Sequence, residues 1–495
     1  MRTTATYDAF GGVVQTTQPT NAGTLGRTST FDRRGLATRM VEDPSGLAIT
    51  RSSVYDAFGR LIQTTDANGV TIPPATYDRL GRLVQTVDAL GGIRSTTYDA
   101  FGRTLTQTDA LGKTTTYRYE TANRKTIVTT PEGVTVTTET TRNGQLCRVT
   151  DGRGNATTYE YDADGNLRFT RRADGTSLES TYDRADRVVD QIDARGTITR
   201  VSYDSANRVL SRTVNPGGLG LTTSYAYDAK GQQISVTDPR GTVTAISFDL
   251  AGHVLTQAVD PTGLNLVTRY EYDPAGRQLK VTSPGWLTTQ YTYDVAGRRV
   301  STMVDPGGLN LVESYTYDRN GNVVARTDAR GNVTRFAYDT SNRLVFTVDA
   351  EGGVRKSTYD AEGRVISTRR PTGQSSALGS LPIAATVDQI ALLLQPGSAT
   401  RPDVVEQRVY DGDGRLTWSV DGEGGVTQLR YDAKGNVIER RTYANRITVA
   451  SWNRCDHAHA AGRRRRRPRS AVADPSTTWP IEPSTRSTAR AGWWS

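Results

Sequence analysis

Two cysteines and three histidines in 495 residues leave little scope for disulfide or metal chemistry. Two thiols make one bridge at most, which excludes a disulfide scaffold. No run approaches the ~18 consecutive apolar residues that a membrane-spanning helix needs. The opening Met1-Arg2-Thr3-Thr4-Ala5-Thr6 has no apolar segment, so it does not read as a secretory leader. Hydrophobic residues are scarce as well, at 35%. Such scarcity goes with disorder when aromatics are also few, but this chain has 23 tyrosines. Its formal charge of +9 invites an anionic partner. That excess is local. Residues 446–495 hold ten Arg against three acidic groups, while residues 1–445 hold 51 basic and 49 acidic ones.

What is abundant is one phrase, Tyr-Asp-x-x-Gly-Arg. It stands as Tyr55-Asp56-Ala57-Phe58-Gly59-Arg60, Tyr77-Asp78-Arg79-Leu80-Gly81-Arg82 and Tyr98-Asp99-Ala100-Phe101-Gly102-Arg103. Further on come Tyr272-Asp273-Pro274-Ala275-Gly276-Arg277, Tyr293-Asp294-Val295-Ala296-Gly297-Arg298 and Tyr359-Asp360-Ala361-Glu362-Gly363-Arg364. Counting variants, its first position falls at 7, 31, 55, 77, 98, 119, 140, 161, 182, 203, 227, 248, 272, 293, 317, 338, 359, 410 and 431, nineteen copies in all. The usual spacing is 21 residues, with 24 where a linking turn is longer, a single 22 and one gap of 51. Tyr119-Glu120 and Thr140-Thr141 begin decayed copies.

The fifth position is Gly in fifteen copies, Asn at 123, 207 and 342, and Asp at 186. These residue types tolerate positive φ, and Asp opening a turn that Gly closes predicts a tight hairpin loop. A second turn, such as Asp109-Ala110-Leu111-Gly112, ends each unit. Between turns the pattern has period two: Tyr117 and Tyr119 share one face of a strand, as do the pairs 159/161 and 225/227. Each copy is therefore a β-hairpin. One hairpin is marginal in water, so neighbours must stack on it. The fold class expected is all-β, a run of hairpins forming one curved, spiralling sheet, and the length-based expectation of about three domains gives way to a single one. About 38 strands at ~4.8 Å each give a contour of roughly 180 Å, or about one turn of a wide tube.

At these residues the sequence resembles the YD-repeat, or Rhs, family, and the resemblance covers nearly all of residues 7–445. It implies a hollow β-shell that encloses a C-terminal toxin, no enzymatic activity of the wall itself, no cofactor, and a bacterial parent that is secreted or carried on the cell surface. The partner it implies is the enclosed toxin domain. After Tyr431-Asp432-Ala433-Lys434-Gly435 nothing resembles the family's core-associated plug, so no autoproteolytic residues are carried over. The alternative is a carbohydrate- or cell-surface-binding module, since a tyrosine-rich face suits sugars. Exposed sheet edges would also let the chain self-associate.

Two segments break the repeat, which divides the chain into an array over 1–370, an insertion over 371–403, the last repeats over 404–445 and a tail over 446–495. In the insertion, Thr386-Val387-Asp388-Gln389 is a capping box that predicts a short helix over about 386–395. The tail carries Arg463-Arg464-Arg465-Arg466-Arg467-Pro468-Arg469 and is expected to be disordered. It reads as an out-of-frame translation of further repeats, a basic arm or a toxin remnant. No nucleic-acid partner is expected.

Candidate chemistry is thin. His253 fills a slot that other copies give to Arg, so it reads as a turn residue, and Cys147 fills an apolar slot and reads as a small core hydrophobe. Cys455, His457 and His459 lack the second ligand pair of a zinc site. Asp162-Ala163-Asp164 and Asp411-Gly412-Asp413 resemble calcium loops without the downstream Glu. No catalytic, cofactor-binding or metal residues are assigned. The phrase residues named above are the candidate site, in a structural role.

Overall fold

The phrase makes a turn before it makes a sheet. In the computed structural model of the chain, which describes residues 3–20, 23–43, 48–371, 378, 380–394, 403–432, 435–447 and 483–487, the Asp99 amide donates to Arg103 O at 2.9 Å and the Gly102 amide to Asp99 O at 3.1 Å. Gly102 takes φ +81°, and Asn207, Asn342 and Asp186 hold the same position at 65°, 62° and 57°. The copy at 119 departs from the expectation. Glu120 gives no side-chain cap, a 3₁₀ turn covers Thr121–Asn123, and positive φ moves from Asn123 to Arg124 at 51°. In the other decayed copy, Thr141 Oγ1 accepts the Gln145 amide at 3.2 Å, a hydroxyl doing the work of the carboxylate.

Every phrase hairpin but the one at Tyr119, which pairs in unbroken register, also carries a bulge. Thr97 faces Thr106 but Tyr98 faces Thr104, leaving Leu105 extra, and the same shift recurs at Glu271/Tyr272 and Ala337/Tyr338. A bulge adds local twist and bends its strand, so a bulge per hairpin curls the sheet.

Strands follow one another antiparallel in chain order, and the protein is 53% strand and 3% helix. The main sheet has 32 strands from Thr76–Tyr77 to Val437–Tyr443. Pro483–Ser487 adds to its far side, with Thr442 opposite Thr485. Its two ends do not pair with each other, so the curl is a spiral and not a barrel. A sheet of seven strands precedes it. Pro73 and Pro74, which have no N–H to give a ladder, fall between the two. The Ala75 amide still reaches Ile62 O at 2.7 Å and the Tyr77 hydroxyl reaches Leu61 O at 2.6 Å, so the wall continues past the break.

The spiral comes back onto itself. Asn68 Nδ2 donates to Asp294 Oδ2 across 226 residues, Thr340 Oγ1 to Ala110 O across 230, and the Ala361 amide to Glu132 Oε1 across 229. The wall thus makes nearly two turns of about eleven hairpins each, not the single wide turn that the contour length suggested. The contour estimate was sound, but the bulges curl the sheet more tightly than it assumed.

The wall is one sheet thick. Among the described residues only Phe346, Leu378, Ile390, Val348 and Thr368 stand out as large side chains that are fully buried. Among the described residues the largest buried cluster lies where the insertion folds over the sheet. Helix α1 (Val387–Leu393) has its capping box formed, with Thr386 and Gln389 bonded reciprocally. Ile390 of α1, together with Leu378, Leu381 and Ala385, covers Ala337, Phe346, Val348 and Val354. Of the tail, only residues 446, 447 and 483–487 are described; the arginine run, Cys455, His457 and His459 lie outside the described residues.

Candidate functional site

The turn at Tyr77 shows what the six positions do. Asp78 Oδ1 accepts the amides of Leu80 and Arg82, both at 2.9 Å, and its Oδ2 accepts Arg82 Nε at 2.6 Å. Arg82 then crosses to the next copy. Its Nη1 donates to Asp99 O at 2.9 Å and its guanidinium lies 4.7 Å from the centre of the Tyr98 ring. Tyr98 completes the joint by donating its hydroxyl to Leu83 O at 2.8 Å, back in the first copy. Carboxylate, guanidinium and phenol thus lock two hairpins through charge-assisted bonds and ring stacking.

The joint recurs. Arg60 spans from Asp56 to Asp78 O and stacks on Tyr77, while Tyr55 bonds Ala37 O. Arg103 pairs with Asp99 and stacks on Tyr119 at 4.2 Å, its Nη1 turning to Thr121 Oγ1 where the loop is irregular. Arg277 pairs with Asp273 and bonds Asp294 O, and Tyr293 bonds Gln278 O. Arg298 joins Asp294 to Asp318 O, and Tyr359 bonds Leu344 O. Arg364 pairs with Asp360 and reaches Asp411 O. The glycines 59, 81, 102, 276, 297 and 363 all hold positive φ. Asp and Arg therefore pair inside one turn, and Arg bridges to the next turn through its backbone carbonyl.

His253 stands in for the arginine: its Nδ1 lies 2.9 Å from Asp249 Oδ2 and its ring stacks on Tyr272 at 4.9 Å. Cys147 is half-buried, and its thiol donates to Glu139 O at 3.3 Å; the slot is shallower than a core position. The calcium-like carboxylates are engaged by their own turns. Asp162 Oδ1 accepts the amides of Asp164 and Asn166, and Asp411 accepts Asp413 N and Arg415 N. Among the described residues no group of three His, Cys, Asp or Glu could hold a metal ion.

A second set of contacts joins the two turns of the spiral. Thr130 Oγ1 donates to Glu362 Oε1 at 2.5 Å, and Arg153 lies 3.6 Å from Asp411 and 3.8 Å from Asp413. The backbones touch here: a Cβ at Gly92 would stand 2.8 Å from Thr340 O, and one at Gly152 2.9 Å from Gly412 O. Burial, with Asp151 and Asp411 nearby, pushes the Asp413 carboxyl up against the opposing pull of Arg153. The phrase alone did not point to these residues, because the partners stand about eleven copies apart.

Tyr338→Phe should cost about 1 kcal/mol, the usual worth of one hydrogen bond, because it removes the bond to Val323 O at 2.9 Å. Faster hydrogen exchange confined to the two flanking hairpins would show it.

The carboxylates of the joint also set an acid limit. The Arg82 backbone amide holds the Asp78 carboxyl below its ordinary value, the Arg187 side chain does so for Asp183, and the Arg208 amide for Asp204. A lowered folded-state pKa gives stability that is present above the unfolded value and lost as pH falls through the folded one. Circular dichroism should therefore hold steady from neutral pH down to the ordinary carboxylate range near ~4 and then collapse below it. Burial pushes the Tyr338 and Tyr317 hydroxyls up. By the opposite sign, their share of stability is lost as pH rises through the folded-state values.

The family model described as RHS Repeat matches in overlapping units, among them residues 31–71, 98–135, 182–219 and 227–264, and the Teneurin YD-shell model matches residues 256–442. No curated protein matches the chain in sequence. Solved structures share the fold at low identity. A TcdB2-TccC3-TEV crystal structure and the Tc holotoxin pore of Photorhabdus luminescens each align with TM-score 0.58 and 14% identity. Each alignment covers 89% of this chain and 31% of the other. TcdB2-TccC3 without its hypervariable C-terminal region aligns at 0.57. The chain thus spans about a third of those structures. With the phrase, its joint and both matched models in agreement, the chain belongs to the YD/Rhs repeat shell proteins.

Proposed function

We propose that this chain is wall: a non-enzymatic stretch of β-shell that encloses the toxin segment of a larger, exported bacterial protein. The observation that carries the reading is the return of the sheet onto itself every 226 to 232 residues, which makes a sheet one layer thick into a tube. About 22 strands per turn at ~4.8 Å give a circumference of ~105 Å and ~34 Å between opposing backbones. Side chains take ~5 Å from each wall, half the ~10 Å spacing of packed sheets, leaving a bore of ~24 Å. A folded domain of ~100 residues, with a radius of gyration near 13 Å, is about 34 Å across. The bore therefore suits an extended or partly folded polypeptide better than a globule. One of the neighbours in fold is described as a holotoxin pore, and another by the loss of a hypervariable C-terminal region, which fits a wall of fixed design around a variable cargo. The sugar-platform reading is weakened by the joint, which already commits the phrase tyrosines' rings to arginine and their hydroxyls to backbone.

The test is a fusion of a small single-domain enzyme to the C-terminus of the full chain. Enclosure predicts that the passenger resists protease and is inactive until the wall is denatured and the passenger refolds. A passenger that is active and cleaved as fast as the free enzyme overturns the reading, as does glycan-array binding that accounts for the tyrosine face instead.

A further inference from the structure

Where Pro73 and Pro74 break the wall, the structure leaves a cavity of about 670 Å³. The strands Ile49–Tyr55 and Leu61–Thr65 line one side and Leu83–Val87 and Ile93–Tyr98 the other. The phrase turn of Tyr317, eleven copies after that of Tyr77, closes it above with Arg319 and Asn320. The cavity is thus built into the wall and bounded by the chain on three sides.

Three arginines line it: Arg51, Arg94 and Arg319. Arg51 and Arg94 stand four residues before Tyr55 and Tyr98, a position that ten of the nineteen copies give to Thr and the broken copy to Pro73. An arginine here can find a carboxylate across the strands, as Arg27 finds Glu42 at 2.9 Å. At Arg51 the equivalent residue is Asp66, whose Oδ1 instead accepts the amides of Asn68 and Val70 in its own turn. Among the described residues, none of the three arginines has a side-chain hydrogen bond or an ion pair.

The backbone is open at the same place. In the next copy Ser95, three before its tyrosine, pairs with Thr108, ten after it. Here those positions are Pro74 and Val87, and the pairing stops at Thr76 with Gln85. The Asp88 amide donates to Gly92 O, so the alternation of an antiparallel ladder turns the Val87 N–H and C=O the other way, into the break. Proline has no N–H to offer them. Asp88 itself is half matched. Its Oδ1 accepts the amides of Leu90 and Gly92, but its Oδ2 is buried without a hydrogen-bond partner. A buried acceptor left unmatched is costly, and a donor from a bound partner removes that cost.

Three free cations call for an anion, while Asp88 and the Val87 carbonyl call for N–H donors. Phosphate or a simple carboxylate meets only the first need; a polypeptide with acidic side chains meets both. We propose that the break is a docking site for a short acidic segment of a separate polypeptide. Its carboxylates pair with Arg51, Arg94 and Arg319, and its backbone pairs with Val87 and gives an N–H to Asp88 Oδ2. The site does not depend on what the bore holds.

Fluorescence anisotropy of a labelled hexapeptide of alternating Thr and Glu, added to the full chain, tests it. Arg51→Gln with Arg94→Gln should weaken binding at least about tenfold, the worth of charge-assisted bonds. Arg355→Gln changes the same position of the phrase outside the cavity and should bind as the wild type does. The same peptide methylated on its backbone nitrogens should also bind at least about tenfold more weakly. On the wild-type chain, bound peptide should slow hydrogen exchange of the Val87 amide, a readout that needs no variant to fold. A peptide that does not bind, or that binds the double variant as tightly as the wild type, overturns the proposal. So does tripolyphosphate that displaces the peptide at equal concentration, or binding that leaves Val87 unprotected, since either would make the cavity a general sink for anions.

Discussion

Phe346→Ala is expected to free the insertion from the wall, at a cost of about 3–5 kcal/mol, the range for emptying a buried aromatic site. Phe346 is 1% exposed and is enclosed by Val348, Val354 and Ile390, with Lys356 Nζ 5.4 Å from the ring centre. Most of the wall has no comparable cluster, so little nearby can collapse into the space. The array behaves as a chain of neighbouring units and not as one two-state domain, so the loss should be local. Amides of α1 should exchange at near-unprotected rates and limited proteolysis should open the 371–403 insertion, while hairpins several copies away keep their protection. Uniform loss of protection along the whole chain would show that the insertion supports the shell globally, against this expectation.

Asp273→Ala is expected to be the most damaging change to a single joint, at about 3 kcal/mol, the lower end for breaking a buried ion pair. Asp273 is 7% exposed and accepts both the backbone amide and Nε of Arg277, at 2.9 and 2.7 Å. The alanine leaves a guanidinium at 16% exposure without its counter-charge. Because Arg277 also bonds Asp294 O and lies over Tyr293, exchange should quicken in two hairpins at once. Asp273→Asn keeps an oxygen for the amide bond and should cost less than half as much. Asp8→Ala is the control. Its copy has Gly12 where others have Arg, and the carboxylate serves only the Phe10 and Gly12 amides in an exposed turn. A loss at Asp8 as large as that at Asp273 would mean that the turn, and not the arginine bridge, carries the stability.

The hairpin was legible because its determinants lie within a few residues of one another. Asp, Gly and alternating apolar positions fix the turn and the faces locally, and repetition averages out the decayed copies. The direction of the arginine was not legible, since the phrase says that Asp and Arg are near each other but not that Arg82 continues to Asp99. The number of turns in the spiral was missed for a different reason: it depends on the twist each bulge adds, and an error in that small angle is multiplied by every copy. Layer contacts such as Glu132 with Ala361 follow from that angle and so were invisible too.

The two ends of a hairpin are not equally free to evolve. The Tyr98 hydroxyl finds its carbonyl 15 residues back, Tyr227 finds its own 18 back, and Tyr410 finds Val365 O 45 back, past the whole insertion. In each case the same atom is reached in space. The phrase end works as a fixed hem, while the linking end can lengthen by three residues or by a helix without disturbing the next copy. New segments, whether a binding loop acquired by evolution or an epitope grafted by design, should therefore be accepted at linking turns and rejected at phrase turns. The wall can gain functions along one rim at a time while its repeat stays unchanged along the other.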